Sequence, residues 1–334
     1  MKAICIFITV MMVVCVQSVE GKLKATRSIG FNFINLPVSA VLEGAGRANI
    51  TDFHDAGSIF VNPAVVANIN IFSMYYSYSN DDIGHAFISG SIASCIRKLG
   101  VLAAFFQCRN FDIRGYGDNF ESTSYSLGIG LSRKVSERLS IGIKLSKAKY
   151  DYGSATETVV LDTDEQGNPI AVGERQIFVR DDALFYDIGF VFDTFLKGIK
   201  FGGVLKDYSL VKEQDLFAEG YYLAKSYKFG MSTNLMELLN LYGVMNNHKT
   251  TVYTAMQYSD VYDFRMHYGI EYGYKTFTVI RMGYKANNEN EGFTLGLGIG
   301  AVIGNVHSNI NYAYLVNEVQ SRDDLHQFSM SISF

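Results

Sequence analysis

From about residue 70 to the C-terminus, apolar and polar positions alternate with a period of two, the mark of strands whose two faces meet unlike surroundings. Tyr125, Leu127, Ile129 and Leu131 lie on one face, with Ser126, Gly128 and Gly130 between them. After a polar RKVSER turn, Leu139, Ile141, Ile143 and Leu145 alternate with Ser140, Gly142, Lys144 and Ser146. The pattern returns at Leu184, Tyr186, Ile188, Phe190 and Phe192, and again at Met266, Tyr268, Ile270, Tyr272 and Tyr274. Fourteen such segments can be marked, at 69–79, 84–96, 101–114, 122–134, 137–151, 183–195, 199–209, 221–231, 251–259, 263–273, 276–286, 292–302, 306–316 and 325–334. A soluble sandwich would alternate as well. Against it stand segment lengths well above the usual five or six residues and a non-apolar face that mixes Gly, Ser and charge, as a barrel lumen permits. The pattern predicts an all-β transmembrane barrel of about 14 antiparallel strands.

Three stretches break the rhythm. Residues 152–182, rich in Asp, Glu, Thr and Gly, read as a long external loop in which 158–161 and 176–179 could extend the hairpin. Residues 232–247 contain MELLNLYG, a short helix on a connection. Residues 22–68 do not alternate, hold two of the three Pro, and are too short for a separate domain. A fourteen-stranded lumen must be water-filled or plugged, so this segment is the expected N-terminal hatch, and 69–334 the barrel.

The first 21 residues differ again. Lys2 precedes an apolar run over 4–16, and small residues near Ser18 and Gly21 offer cleavage points, as in a secretory signal. The run falls short of the roughly 20 residues that a spanning helix needs. Cys15 raises a lipoprotein alternative, but Val13 and Val14 suit it poorly. Residues 1–21 are therefore expected to be a cleaved signal peptide, which implies export.

Composition adds two constraints. Tyr (22) and Phe (24) are abundant while Trp is absent, so any interfacial aromatic girdle must be built from Tyr and Phe, with Tyr75, Tyr76, Tyr78, Tyr272 and Tyr274 as candidates. A net charge of −4 excludes a dominant phosphate-binding surface, and no nucleic-acid partner is expected. Cys95 and Cys108 make no disulfide framework, and their unequal offsets from the turn near 98–100 leave no pair to draw. The six His are scattered and offer no metal site. Gly296, Gly298 and Gly300 recur every second residue, a strand face rather than a nucleotide loop. No cofactor, catalytic elbow or metalloprotease motif is called for, and the chain is not read as an enzyme.

The last strand carries Phe328, Met330, Ile332 and a terminal Phe334 on one face, the type of ending that barrel-assembly machinery reads. Near the other end, PVSAVLEGAGRANITDFHDAGSIFVNPAVVANI holds Gly44, Gly46 and Ala48, then Asp55 and Ala56, then Asn62, Pro63 and Ala64. With GIEYGY, TVIRMGYKANNENEGFTLGLGIG and INYAYLV further on, this resembles the PorV/PorQ outer-membrane proteins, relatives of the FadL long-chain fatty acid transporters. The resemblance implies a fourteen-stranded outer-membrane barrel with an N-terminal hatch. It also implies one of two roles: uptake of long-chain fatty acids or other hydrophobic compounds, or a scaffold or shuttle for secreted proteins in type IX secretion. Outer-membrane lipids and the assembly machinery are the further partners expected.

Candidate sites follow. Asn62-Pro63-Ala64 defines a turn without help from neighbouring strands, and either shapes the hatch against the wall or anchors the first strand. Lys144, Glu271 and Arg281 fall on the polar face and should point inward. Glu271 and Arg281 are placed to form a diagonal pair. Either these are structural charges that neutralise one another, or Arg281, ahead of Lys144, meets the carboxylate of a fatty acid with its fork. Phe105, Phe106 and Phe111 are expected to line an apolar route.

Overall fold

The computed structural model describes residues 31–53, 55–80, 86–113, 120–163, 169–210, 223–241, 247–260, 264–275, 277–287, 291–317 and 324–334. The proposed signal segment, the first residues of the proposed hatch and the tips of several connections lie outside these.

Fourteen strands close into one antiparallel barrel. They are β1 (Phe72–Asn80), β2 (Ala86–Ile96), β3 (Gly100–Ile113), β4 (Phe120–Lys134), β5 (Leu139–Thr163), β6 (Pro169–Asp193) and β7 (Ile199–Ser209), then β8 (Ser226–Asn234), β9 (His248–Ser259), β10 (Arg265–Tyr274), β11 (Thr278–Ala286), β12 (Glu291–Ile303), β13 (Val306–Asn317) and β14 (Leu325–Ser333). Each strand pairs with its sequence neighbours, and β1 pairs with β14 from Ser73↔Ser333 to Asn80↔His326, which closes the wall and leaves no free edge. Phe334 finishes the seam: its N–H donates to the Phe72 carbonyl at 2.9 Å, and the two rings lie 6.0 Å apart.

The alternation sorts residues between the two faces as periodicity requires. Leu127, Ile129, Ile141, Ile143, Ile188, Leu297 and Ile310 point outward, between 43 and 61 % exposed to the barrel's surroundings. Ser126, Ser132, Ser140, Ser146 and Thr294 turn inward and are buried. Such an outer surface is stable only against hydrocarbon, because water would face a continuous belt of unburied apolar side chains. Tyr76, Tyr78, Tyr272 and Tyr274 stand on this outer face, as a girdle requires. Tyr75 does not: one residue out of phase, it turns inward, and its hydroxyl donates to the Val38 carbonyl at 2.7 Å.

Two departures from the sequence reading concern connections. β5 and β6 stay paired well beyond the other strands, through Val160↔Val172 and on to Thr163↔Pro169, with register shifts near 151–153 and 160–163. Most of 152–182 is therefore a tall hairpin rather than a loop. It rises at the end opposite the short turns 97–99, 135–138 and 194–198, and bacterial barrels place short turns on the periplasmic side. The helix expected within 232–247 is a single turn, α2, at Leu235–Leu238, capped by the Asn234 carboxamide oxygen. Met231 and Leu238 bury it against Ile199 at the short-turn end. Cys95 and Cys108 are both free, near opposite ends of the β2–β3 hairpin.

Because Ile129 stands mid-strand and 57 % exposed on the outer face, Ile129→Arg is expected to cost about 2–4 kcal/mol in lipid, whereas Ser126→Ala, on the lumen side, should be near neutral. Urea unfolding of the barrel in vesicles measures both. Equal stability of Ile129→Arg and wild type would show that this face does not meet hydrocarbon.

Candidate functional site

Residues 31–69 lie against the inward face of the wall on nearly every side. Their elements are 3-10 turns at Asn32–Asn35, Ala56–Phe60 and Pro63–Asn68, and a five-residue helix, α1, at Ala40–Gly44. So short a helix gains little from propagation. Capping and packing hold it. The Ser39 hydroxyl caps α1, the Asp55 carboxylate accepts from Gly57 N at 2.8 Å, and the Asn62 carboxamide oxygen accepts from Ala64 N at 3.1 Å.

Asn62 also ties the segment to the wall. Its Nδ2 donates to Ile50 O at 3.0 Å and to Phe190 O on β6 at 3.2 Å, while Ser132 Oγ on β4 donates to Pro63 O at 2.5 Å. The Asn-Pro-Ala turn thus sits on β4, β5 and β6, far from the first strand. On the opposite wall, Gly46 (φ +62°) packs against Gly283, and Gly44 against Gly296. A Cβ on Gly283 would collide with the Gly46 backbone, and one on Gly142 with that of Pro63. These inward strand glycines let backbone approach backbone, which any side chain would prevent. The floor of the packing is apolar: Phe33, Ile34, Ile59 and Phe60 pack with Phe105 and Phe185 of the wall, and the Phe60 and Phe105 rings meet edge-to-face at 5.3 Å.

Charge pins the same segment. Glu43 of α1 is 1 % exposed. Its carboxylate accepts from Arg47 Nε at 2.5 Å and from Lys285 Nζ on β11 at 2.7 Å, and Lys285 is itself fully buried. Asp52 takes Lys200 at 2.9 Å and Lys249 at 3.1 Å nearer the short-turn end. None of these wall anchors was singled out in the sequence.

The three charges that were singled out each lie in an ion pair. Glu271 and Arg281 are directly opposite one another, not diagonal, and Arg281 Nε donates to Glu271 at 2.7 Å. Arg281 Nη1 donates to Asn311 at 3.0 Å. The guanidinium lines a hollow of about 140 Å³ that it shares with Asp52, Asp55 and Glu271. Those surroundings disfavour an incoming carboxylate. Lys144 is no more available: it meets Asp187 on β6 at 2.5 Å, both almost fully buried, and Asp187 also accepts from the Asp207 N–H at 2.8 Å. That second bond braces a bulge where β7 slips by one residue against β6 and Asp207 adopts φ +63°. These are wall-bracing charges. Phe106 faces the lipid side at 40 % exposure and lines no lumen. The Phe111 side chain lies outside the described residues.

A second hollow, on the tall-hairpin side of the segment, has another character. It encloses about 230 Å³ between α1, the turn ending at Phe60, and the upper halves of β7 to β10. One side is apolar, with Leu36, Val38, Leu42, Phe60 and Val61; the other carries Lys206, Lys228, Arg265 and His267, with Arg47 and Glu43 between. Larger apolar furrows exist on the outer face, where Gly203 leaves a gap between Phe190 and Phe229, but a bilayer covers them.

With this geometry in view, the comparisons with known proteins divide sharply. No protein-family model and no curated sequence matches the chain. Solved structures match its fold. A Pseudomonas aeruginosa FadL homologue aligns with a TM-score of 0.51 and 11 % identity over 93 % of this chain and 99 % of its own. The monoaromatic hydrocarbon channel CymD gives 0.54 and 14 % over 91 % and 99 %. The Pseudomonas putida toluene transporter TodX gives 0.56 and 9 % over 88 % and 96 %. This chain shares their fold. The coverage is nearly end to end in both directions, so the likeness includes the fourteen-stranded FadL-type barrel as a whole.

Glu43 is the pivot of the buried charges. Glu43→Gln removes the carboxylate that buried Lys285 meets at 2.7 Å, and loss of one partner of a buried pair costs about 3–5 kcal/mol. The expected result is faster amide exchange and protease cleavage within residues 40–48, largely reversed by adding Lys285→Met. Unchanged protection in the single variant would show that the pair does not hold the segment.

Proposed function

We propose that the chain is an outer-membrane transport barrel admitting hydrophobic compounds, long-chain fatty acids among the candidates, past an N-terminal hatch formed by residues 22–68. The observation that carries the reading is the combination of a closed wall with a separate, non-covalently packed segment inside it. A solute entering such a lumen must bind and then shift the segment. The segment is held by caps, glycine contacts and a few buried ion pairs rather than by strand pairing, so it can move without opening the wall.

Apolar cargo suits this arrangement because a blocked lumen gives no aqueous path, whereas an apolar pocket offers favourable burial. The neighbours in fold point the same way, since CymD and TodX are described as a monoaromatic hydrocarbon channel and a toluene transporter. None of the three is described as an enzyme. Placement in the outer membrane agrees with the apolar outer belt, with the proposed signal over residues 1–21, and with the last strand. There Phe328 and Met330 face outward, and Phe334 caps the seam for the assembly machinery to read. Membership of the PorV/PorQ group, and with it the secretion scaffold, rests on the sequence motifs. Asn62, Pro63, Gly44 and Gly46 of those motifs all serve the contact between segment and wall, which suits a hatch in either role.

The test is uptake. Cells producing the barrel should take up radiolabelled oleate or toluene several-fold faster than cells carrying an empty vector, at equal outer-membrane integrity. Indistinguishable uptake of both solutes would remove transport of hydrophobic compounds as the function.

A further inference from the structure

We infer that the outer face of β3 to β7 holds an anionic phospholipid of the periplasmic leaflet. Its phosphate rests on the rim formed by the β2–β3 and β4–β5 turns, and an acyl chain lies in the furrow above them. This concerns the lipid side of the wall, so it stands or falls apart from any solute that the lumen admits.

The furrow follows from register. Leu102, Leu131, Ile143, Ile188 and Leu205 are paired in turn across β3 to β7 and make one outward rung. The rung nearer the short turns is Arg133, Ile141, Phe190, Gly203 and Phe229. At Gly203 that rung has no side chain, and a Cβ there would stand 2.6 Å from the Phe190 ring and 2.8 Å from that of Phe229. Two lobes of about 660 and 560 Å³ result, meeting at Leu131, Ile143 and Ile188. Each is within the range of about 300–1,000 Å³ usual for small-molecule sites. Apart from Arg133 and the Tyr186 hydroxyl, the side chains that line them are apolar.

Charge gathers at the short-turn end of this furrow. Residues 97–99 and 133–138 hold five cations, Arg97, Lys98, Arg133, Lys134 and Arg138, against the single carboxylate of Glu137. Gly100 brings the two turns together, since a Cβ on it would stand 3.2 Å from the Arg133 Cβ. Arg97, Lys98, Arg133 and Lys134 are exposed, and none forms an ion pair among the described residues. Lys197, on the next turn, shares a hollow with Asp193 and Glu237 and adds no surplus. On the far side of the barrel the turn at 304–305 is Gly-Asn and carries no charge. Apolar side chains stand among the cations: Leu99, Val135 and Phe195 are exposed, Phe195 to 82 %, with the Arg138 guanidinium 4.3 Å over its ring. Large apolar groups flanked by Arg and Lys suit immersion in a lipid interface, and a basic cluster beside hydrocarbon attracts anionic head groups. Arg133 belongs to both the furrow and the cluster, its stem suited to hydrocarbon and its charge to the rim. One lipid therefore finds a place for chain and head together. A zwitterionic head brings its own cation to the same rim and gains less.

Native mass spectrometry of the full-length barrel in detergent tests this, with dioleoyl phosphatidylglycerol and dioleoyl phosphatidylethanolamine as probes. Phosphatidylglycerol should bind at least tenfold tighter. Arg133→Gln combined with Lys134→Gln should weaken it at least tenfold, since each basic residue beside an anionic lipid is worth about fivefold. Arg97→Gln combined with Lys98→Gln, on the separate turn, should do the same, whereas Lys275→Gln on the far rim should change it less than twofold. Ile143→Trp fills the furrow where the lobes meet, and should weaken phosphatidylglycerol at least fivefold. All variants should stay heat-modifiable like wild type. Equal affinity for the two lipids, or no loss in either folded double variant, would overturn the proposal. Glycerol phosphate competing as well as the intact lipid, or an unaffected Ile143→Trp, would overturn the acyl-chain part of it. Lipid A displacing phosphatidylglycerol from this rim would overturn the assignment to the periplasmic leaflet.

Discussion

A closed sheet of fourteen strands encloses more space than its own inward side chains can fill. The rest of the molecule answers that constraint. The wall meets it with small residues, and its glycines at 142, 189, 269, 283 and 296 bring the inner surface down to bare backbone where the N-terminal segment touches it. The segment meets it with irregular backbone whose polar groups are satisfied one by one, by caps from Ser39, Asp55 and Asn62 and by bonds to strand side chains such as Ser73, Ser132 and Gln327. Buried irregular backbone is tolerated only where such partners exist. The inward Ser, Gln and Gly are in large part the hydrogen-bonding and space-making surface for that segment.

Much of this was legible beforehand, and the reason is the period of two. Alternation fixes which side chains face outward for every strand at once, so strand number, strand positions and the lipid-facing set followed from it. Where a strand departs from the two-sided pattern the reading weakened. Tyr75 looked like one of a tyrosine cluster because its neighbours Tyr76 and Tyr78 are on or near the outer surface, yet parity sends it to the lumen. The β5–β6 extension was read as mostly loop because above the bilayer both faces meet water and the apolar signal that marks a strand disappears, although backbone pairing continues.

The site was less legible, for a different physical reason. Sequence places Arg281, Lys144 and Glu271 on the inner face but cannot say which inner charges meet each other. Register puts Arg281 on Glu271 and Lys144 on Asp187, and both pairs then serve the wall. Lys206, Lys228 and His267 line the hollow above the segment, and only the path of residues 34–61 brings them together there. Local motifs did carry through: Asn62-Pro63 and Gly44/Gly46 mark the places where the segment grips the wall, because caps and close approaches depend on residue type in a way that long-range ion pairs do not.

The central claim is that the segment closes the lumen and must move for anything to pass. Single-channel recording in planar bilayers tests it most directly. Wild-type barrels should show no sustained steps of salt current, while barrels lacking residues 31–69 should show large, porin-like ones. Steps of equal size from both proteins would contradict the account, since the segment would then leave an open aqueous path.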